Sequence, residues 1–482
     1  MRKRFEPQLS LGAEPIEEVK IYTKSRDEFP PLLVALQEIF KNVELNEQIF
    51  NILEERITKG KKKTGRPGMD LWHILVLSIV RLSQNTNYDK VLDLANNHKD
   101  LRKILGVYSF VDDKKFELQT VRDNLELVTE DELYRINAVI SQWGLSLFNK
   151  KKDQKQILKT DSYVLETNVH FPTDYNLLWD SARKCVDTIS KILKKNKIDL
   201  PGWRNIHAWR KTMKNLSRQM GQVSKKGGKN KINELQYVAN QYINKSRILY
   251  DKVQFVVEKL SNTPDFSKHL KDLQYYAKML NMHKDLIYRR IIKRETIPAE
   301  DKIYSIFLEF TEWINKGKLH PNVELGKKIL ITTNQDHLIL DYQIMDNQSD
   351  SQTIVPLYNR MQAFIADSIS SWSFDKGFTD GKAKKHLESS GIKVIIPKKG
   401  KKNKLEQATE QTKEFKSLRN KHSAIESNIN QLEHNGLDRC PDKSRKAFNR
   451  YVGLGVLSYN LHRIGKKLQE IQRVSTALIQ AA

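Results

Sequence analysis

Asp161 is a carboxylate in an unusual setting. Over 157–169 β-branched and aromatic residues recur often enough to predict a strand, which Pro172 then ends. Asp is depleted in strands, so this one either caps something locally or is there for chemistry. Two further acids can act with it. Asp375 opens the tetrapeptide Asp375-Lys-Gly-Phe378, where a strand ends in an acid and a glycine, and Glu426 lies on a helix expected over 414–434. Acids at the ends of two adjacent strands, with a third projecting from a later helix, can hold two divalent cations about 3.5–4 Å apart. That arrangement serves in-line attack on a phosphodiester. Hard oxygen ligands select Mg²⁺, with Mn²⁺ as the alternative, over zinc.

Other acids compete for these places. Glu166 is five residues from Asp161 and by strand alternation faces the opposite side. Asp380 lies past the glycine turn, where capping of the next helix accounts for it. Glu433 is the serious rival to Glu426. Seven residues apart, the two share a helix face but stand about 10.5 Å apart along the axis, so only one reaches the metals.

The elements that must position these acids follow from the chain in order. Residues 1–30 read as an arm, and 31–57 carry helical spacing in Leu32, Leu33, Leu36, Ile39, Phe40 and Val43. Short helices with tight turns fill 66–150, among them one opened by the capping box Thr129-Glu-Asp-Glu132. They are compatible with a helix-turn-helix module. After Phe171-Pro-Thr-Asp174 the chain turns helical for about 150 residues, with a hairpin of two long helices over 232–260 and 270–294. Strands return at 328–333 and 337–344, joined by Asn334-Gln-Asp336. A helix, the Asp375 strand, another helix, a strand over 393–397, the Glu426 helix and an apolar helix over 448–464 complete the chain.

With 175–325 set aside, the order is β(Asp161)-β-β-α-β(Asp375)-α-β-α(Glu426). This is an α/β RNase H-like catalytic core, a mixed five-stranded sheet with helices, interrupted by a large all-α insertion and preceded by an all-α domain. The expected divisions are 1–65 (arm, helix and basic linker), 66–150 (helical DNA-binding domain), 151–174 with 326–470 (core), 175–325 (insertion) and 471–482 (tail).

Composition adds a partner. The 482 residues carry 83 Lys and Arg against 58 Asp and Glu, a net +25, and seven Trp, 17 Tyr and 17 Phe are ample for real cores. Such a charge points to a polyanion, most simply nucleic acid. Candidate contacts are Lys61, Lys62, Lys63 and Arg66 in the basic linker, which also fits a solvated loop. Trp203, Arg204, Trp209 and Arg210 interleave aromatic and basic residues as nucleic-acid surfaces do, or place tryptophans beneath a basic face. Lys398, Lys399, Lys401 and Lys402 form a second basic run, and Arg419 and Lys421 can bind phosphate or simply be solvated. Two cysteines fit a reducing cytoplasm, and the N-terminus lacks the apolar run of a signal peptide. The longest apolar stretches are too short to span a bilayer, so a soluble intracellular protein with no membrane partner is expected.

Three segments carry a resemblance. Asp161-Ser-Tyr-Val-Leu-Glu-Thr-Asn-Val-His-Phe-Pro-Thr-Asp-Tyr-Asn-Leu-Leu-Trp-Asp180 looks like the first catalytic segment of bacterial insertion-sequence transposases of the DDE class. Asp375-Lys-Gly-Phe378 is similar to their second, and His422-Ser-Ala-Ile-Glu-Ser-Asn-Ile-Asn-Gln-Leu-Glu-His-Asn-Gly-Leu-Asp-Arg439 to their third. The helices at 66–105 resemble their amino-terminal domain. The context of Ile425-Glu-Ser-Asn favours Glu426 over Glu433. One feature departs from the pattern: the Tyr, Arg and Lys that some DDE families place around the glutamate are unmatched, with His422 four before it and Glu433 seven after. The resemblance implies that Asp161 and Asp375 share two metal ions, Mg²⁺ or Mn²⁺, and that Glu426 completes the second. It implies hydrolysis at the terminal inverted repeats of the element, then strand transfer of the freed 3′-hydroxyl into target DNA. It also implies double-stranded DNA as partner, a homodimer or larger synaptic assembly, and a place at the nucleoid of a bacterium. The competing reading is a sequence-specific DNA-binding protein derived from a transposase and catalytically inactive. A third is a basic helical scaffold whose three acids are incidental. The insertion is expected to contact end DNA or a second protomer through Trp203, Arg204, Trp209 and Arg210.

Overall fold

The strand around Asp161 forms as β1 (Gln156–Thr167), twelve residues in which apolar side chains are buried on both faces. That double burial accounts for the adjacent apolar residues Tyr163, Val164 and Leu165. The computed structural model describes residues 2–5, 14–22, 27–60, 67–108, 114–149, 151, 154–196, 200–315 and 322–481. The chain forms two bodies, Met1–Asn168 with Gly326–Ala482, and Val169–Leu325.

In the first body β1 lies at the centre of a mixed sheet. The strands that follow are β2 (Glu312–Asn315), β3 (Val323–Thr333), β4 (Ile339–Ile344), β5 (Ile369–Phe374), β6 (Lys393–Ile395) and β7 (Arg439–Cys440). β1 runs antiparallel to β3 and parallel to β5, β5 parallel to β6, and β3 antiparallel to β4. The sheet order through this body is therefore β4-β3-β1-β5-β6, with β7 pairing the end of β1. The expected link Asn334-Gln-Asp336 does join β3 to β4. His337 turns the corner with φ 63°, and the Asn334 side chain accepts from the backbone of Asp336 and Leu338.

Register then fixes the acids. Asp161 pairs with Ile331 of β3, and Thr160 with Phe374 at the end of β5. Asp375, the next residue, therefore stands beside Asp161 where β5 stops. The indole Nε1 of Trp372 donates to Thr160 Oγ1 at 2.8 Å, and Thr160 Oγ1 meets Thr332 Oγ1 at 2.7 Å. Three strands are thus tied together one residue before the carboxylate. At the far end of β1 a side chain at Gly326 would place its Cβ 2.1 Å from the carbonyl oxygen of Leu165, so only glycine lets β3 approach there.

Helices cover the sheet. Leu71–Ser83 is buried along its whole length, which matches its unbroken apolar sequence. The C-terminal helix Arg445–Ala481 is longer than the 448–464 expected and takes in what was expected to be a tail. It packs against Phe29–Lys41, Leu71–Ser83 and Glu130–Phe148. The boundary expected near 150 is therefore no boundary between bodies: the early helices and the sheet share one core. The single helix expected over 31–57 is two, Phe29–Lys41 and Val43–Ile57, broken at Asn42, whose side chain caps the second. The helix expected over 414–434 is likewise broken, into Lys413–His422 and Ala424–Leu432, followed by a π turn over Glu433–Leu437.

The second body is mostly helical, and the strand β2 lies within its bounds, so it is not the all-α segment expected over 175–325. Asp174–Asn196, Ile206–Lys225, Lys231–Leu260 and Ser267–Ile287 pack on one another around a core that includes Tyr242, Leu249, Val253, Phe266 and Leu280. The last two are the expected hairpin, and Pro264 begins the turn between them.

Candidate active site

The carboxyl of Asp161 is largely buried and accepts a 2.7 Å hydrogen bond from the backbone N–H of Ser162. Burial pushes its pKa up to about 7, and the charges of Asp375, Asp350 and Glu426 push in the same direction against the Ser162 hydrogen bond. All three acids singled out in the sequence therefore share one electrostatic neighbourhood. No ion pair is formed by Asp161, Asp375 or Glu426 among the described residues. Asp161 is enclosed while Asp375 and Glu426 are exposed beside it, and their combined negative charge is what a multivalent cation would relieve.

Each acid is placed by a different element. Asp375 leaves β5 with extended geometry (φ −71°, ψ 164°) and leads into the short 3₁₀ turn Lys376–Phe378, anchored by buried Phe378. Glu426 stands in the first turn of Ala424–Leu432, where a helix N-terminus favours a carboxylate. Two residues on, Asn428 locks that turn to β3. Its Oδ1 meets His337 Nδ1 at 2.8 Å and accepts from the Tyr459 hydroxyl at 3.1 Å, and its Nδ2 donates to Thr333 Oγ1 at 3.3 Å. Glu426 acts on Asp161, whereas Glu433 acts on Tyr163, two residues along the strand. Glu166 is drawn into an ion pair with Arg439, and Asp380 caps Gly381–Ser389 by accepting from the N–H groups of Lys382 and Ala383.

Sequence reasoning missed two residues of this neighbourhood. Asp350, read only as part of a polar turn, accepts from the Ser162 hydroxyl at 2.8 Å and pairs with Lys328 at 3.1 Å. A side chain at Gly377 would bring its Cβ 3.3 Å from Asp350 Oδ2, so this acid also adjoins the Asp375 turn. The signal was an acid at the start of the helical segment that follows β4, but the polar residues around it matched a loop equally well. The second is His422. Its Nδ1 meets Ser373 Oγ at 3.0 Å and its Nε2 is buried without a partner. Burial holds its pKa below the usual imidazole range, and the charge of Asp375 acts in the opposite direction.

The donor set is all carboxylate oxygen, which suits Mg²⁺ or Mn²⁺ and not a soft metal. With the side chains as they stand, no group of three or more His, Cys, Asp or Glu among the described residues is arranged to enclose an ion. The fit therefore rests on the charge and chemistry of the donors.

The basic candidates divide. Lys61, Lys62, Lys63 and Arg66 lie outside the described residues. Trp203 is 2% exposed within the core of the second body and presents no face for stacking on a base, which corrects the expectation for it. Of the two readings of this aromatic and basic stretch, a tryptophan beneath a basic face is the one Trp203 follows. Trp209 is partly buried, tilted against Trp203, and carries Lys245 Nζ 4.4 Å from its ring centroid. Arg204 is exposed, and Arg210 pairs with Asp187. In the second basic run Lys398 pairs with Glu406 and Lys402 with Glu410, both at 2.5 Å, while Lys399 and Lys401 are exposed. Arg419 and Lys421 are exposed on the helix before Glu426. Among the described residues no helix is long and apolar enough to cross a membrane.

No curated protein and no solved structure matches this chain. Residues 289–461 match the family model described as Transposase DDE domain, a span that contains Asp350, Asp375 and Glu426 and begins after Asp161. With the strand that carries Asp161 seated against that span, this match supports a DDE-class transposase.

Proposed function

We propose that this chain is a transposase that binds the terminal inverted repeats of its own element, hydrolyses the ends and transfers the freed 3′-hydroxyl into target DNA. The observation that supports the reading is that Asp375 and Glu426, from elements far apart in sequence, both act on Asp161, whose carboxyl is pushed toward protonation chiefly by burial and in addition by their charges. The strand order β4-β3-β1-β5-β6, with its antiparallel first three strands and parallel last two, supports an RNase H-like core. Asp161, Asp375 and Glu426 would hold two Mg²⁺ or Mn²⁺ ions, which when bound would supply Lewis acidity to the scissile phosphate and to the attacking and departing oxygens. The residues of the chain do the rest. Asp161 and Asp375, fixed by the Thr160–Trp372 contact, set the place where the phosphate must sit. Exposed Arg419, Lys421, Lys399 and Lys401 neutralise the flanking backbone and hold the strand in register. A net charge of +25 supports DNA as the partner, and synapsis of two ends calls for two or more protomers.

The test is purified protein with Mg²⁺ on duplexes carrying the element's own ends. Nicking and joining by wild type, both lost in Asp161→Ala, is the expected result. Equal behaviour of the two proteins would contradict the reading and favour a DNA-binding protein without catalysis.

A further inference from the structure

The second body contains a cleft of about 760 Å³ that the carboxylate site does not use. Its size is that of a pocket for a small organic ligand. One wall is aromatic. Trp313 meets Phe171 edge-on with ring centroids 5.4 Å apart, and Tyr304 lies 5.6 Å from Trp313 with the planes 35° apart. Phe171 is 58% exposed, so a large apolar ring faces open space. Leu235 and Ile303 extend the apolar lining.

The rest of the lining is cationic. Lys231, Arg290, Arg294 and Lys302 reach the cleft against a single carboxylate, Asp174. Arg290 pairs with Asp174 at 2.6 Å, and the other three form no ion pair among the described residues. The backbone that carries two of these cations is irregular. Tyr288–Ile292 is a π turn, and Arg294 adopts φ 58°, a left-handed conformation that a non-glycine residue holds at a cost. Irregular backbone of both kinds concentrates at binding sites.

Flat aromatic surface beside uncompensated cations recognises a flat aromatic anion. We propose that this cleft binds a nucleotide, its base against the Phe171–Trp313 wall and its phosphate at Arg294 and Lys302. The same chemistry is offered by a free mononucleotide and by one unit of a single strand. An acyl anion would fill the apolar width, yet it would have one charge for three unpaired cations and no ring to lay on the aromatic wall. Every lining residue lies within 169–325, and none is among the acids proposed to hold the metal ions.

The full-length protein is titrated by calorimetry with deoxyadenosine monophosphate and, separately, with a short single-stranded oligonucleotide. The proteins compared are wild type, the double variant Arg294→Gln/Lys302→Gln, Trp313→Ala and Trp313→Phe. Both charged positions are at least partly exposed, so melting temperatures should match wild type. Loss of at least about tenfold in affinity in the charge variant and in Trp313→Ala, with Trp313→Phe retaining binding, is expected. Loss for the mononucleotide identifies a free nucleotide as sufficient, and loss for the oligonucleotide alone identifies a strand as the source. Unchanged affinity for both probes in the variants overturns the proposal, as does failure of wild type to bind either. Stronger competition by dodecanoate than by nucleotide also overturns it.

Discussion

Asn428 shows how closely the helix turn bearing Glu426 depends on a neutral neighbour. It is 3% exposed, and its amide meets His337, Tyr459 and Thr333 together, so the helix turn bearing Glu426 is fixed to the end of β3. Asn428→Ala should slow end cleavage about tenfold, the usual cost of removing a group that orients a metal ligand. It should also lower stability by about 1–2 kcal/mol through the unpaired partners it leaves. Rates at saturating Mg²⁺ alongside a urea melt check both. At this scale Asp161 was legible in the sequence because an acid amid strand-forming residues is anomalous. Glu426 was separable from Glu433 only by resemblance. Asp350 and His422 were not legible as site residues, because each acts through contacts with Ser162, Lys328 and Ser373 that folding alone creates.

Elements are coupled by buried polar contacts between distant segments. Arg81, 4% exposed on Leu71–Ser83, makes a two-pronged ion pair to Asp442 at 2.7 and 3.1 Å and lies 4.2 Å from the Tyr88 ring centroid. Arg81→Met would leave Asp442 charged, half-enclosed and unpaired, and should cost about 3–5 kcal/mol. Chemical denaturation compared with Asp442→Asn/Arg81→Met, which removes both charges and should recover part of the loss, checks it. The strands carrying Asp161 and Asp375, the β3–β4 link and the helical hairpin were readable from period and turn residues. The short strands β2 and β7, which make the sheet seven-stranded and not five-stranded, were not. Nor were the breaks at Asn42 and Ser423, since neither Gly nor Pro marks them; side-chain capping decides the first, and Ser423 forms no such cap. Burial of Trp203 beneath a basic face was one of the two readings open at that stretch, and the interleaved spacing alone did not decide between them.

For the whole molecule, the early helices and the C-terminal helix share a core with the sheet, a union of residues some 400 positions apart that no local pattern records. Three buried histidines give this molecule a pH signature. Burial pushes His73 and His462 in the first body, and His283 in the second, down to about 4. Unfolded imidazoles titrate near about 6.5, so between those values the unfolded chain binds more protons. Their contribution to stability is full above about pH 6.5 and is lost as pH falls toward 4. Asp161, raised to about 7, works in the opposite sense, but one carboxyl is outweighed by three imidazoles. Melting temperatures should therefore fall from pH 7 to pH 5, and less steeply in His462→Gln.

The most direct test of the central claim compares two glutamates seven residues apart. Single-turnover cleavage of the element's end DNA in Mg²⁺ is measured for wild type, Glu426→Gln and Glu433→Gln. Glu426→Gln should lose at least about a hundredfold, more than loss of an orienting neighbour costs, while Glu433→Gln stays within a few-fold of wild type. Loss in Glu433→Gln with activity kept in Glu426→Gln would contradict the assignment of the third acid. Full activity in both would contradict the three-carboxylate site itself.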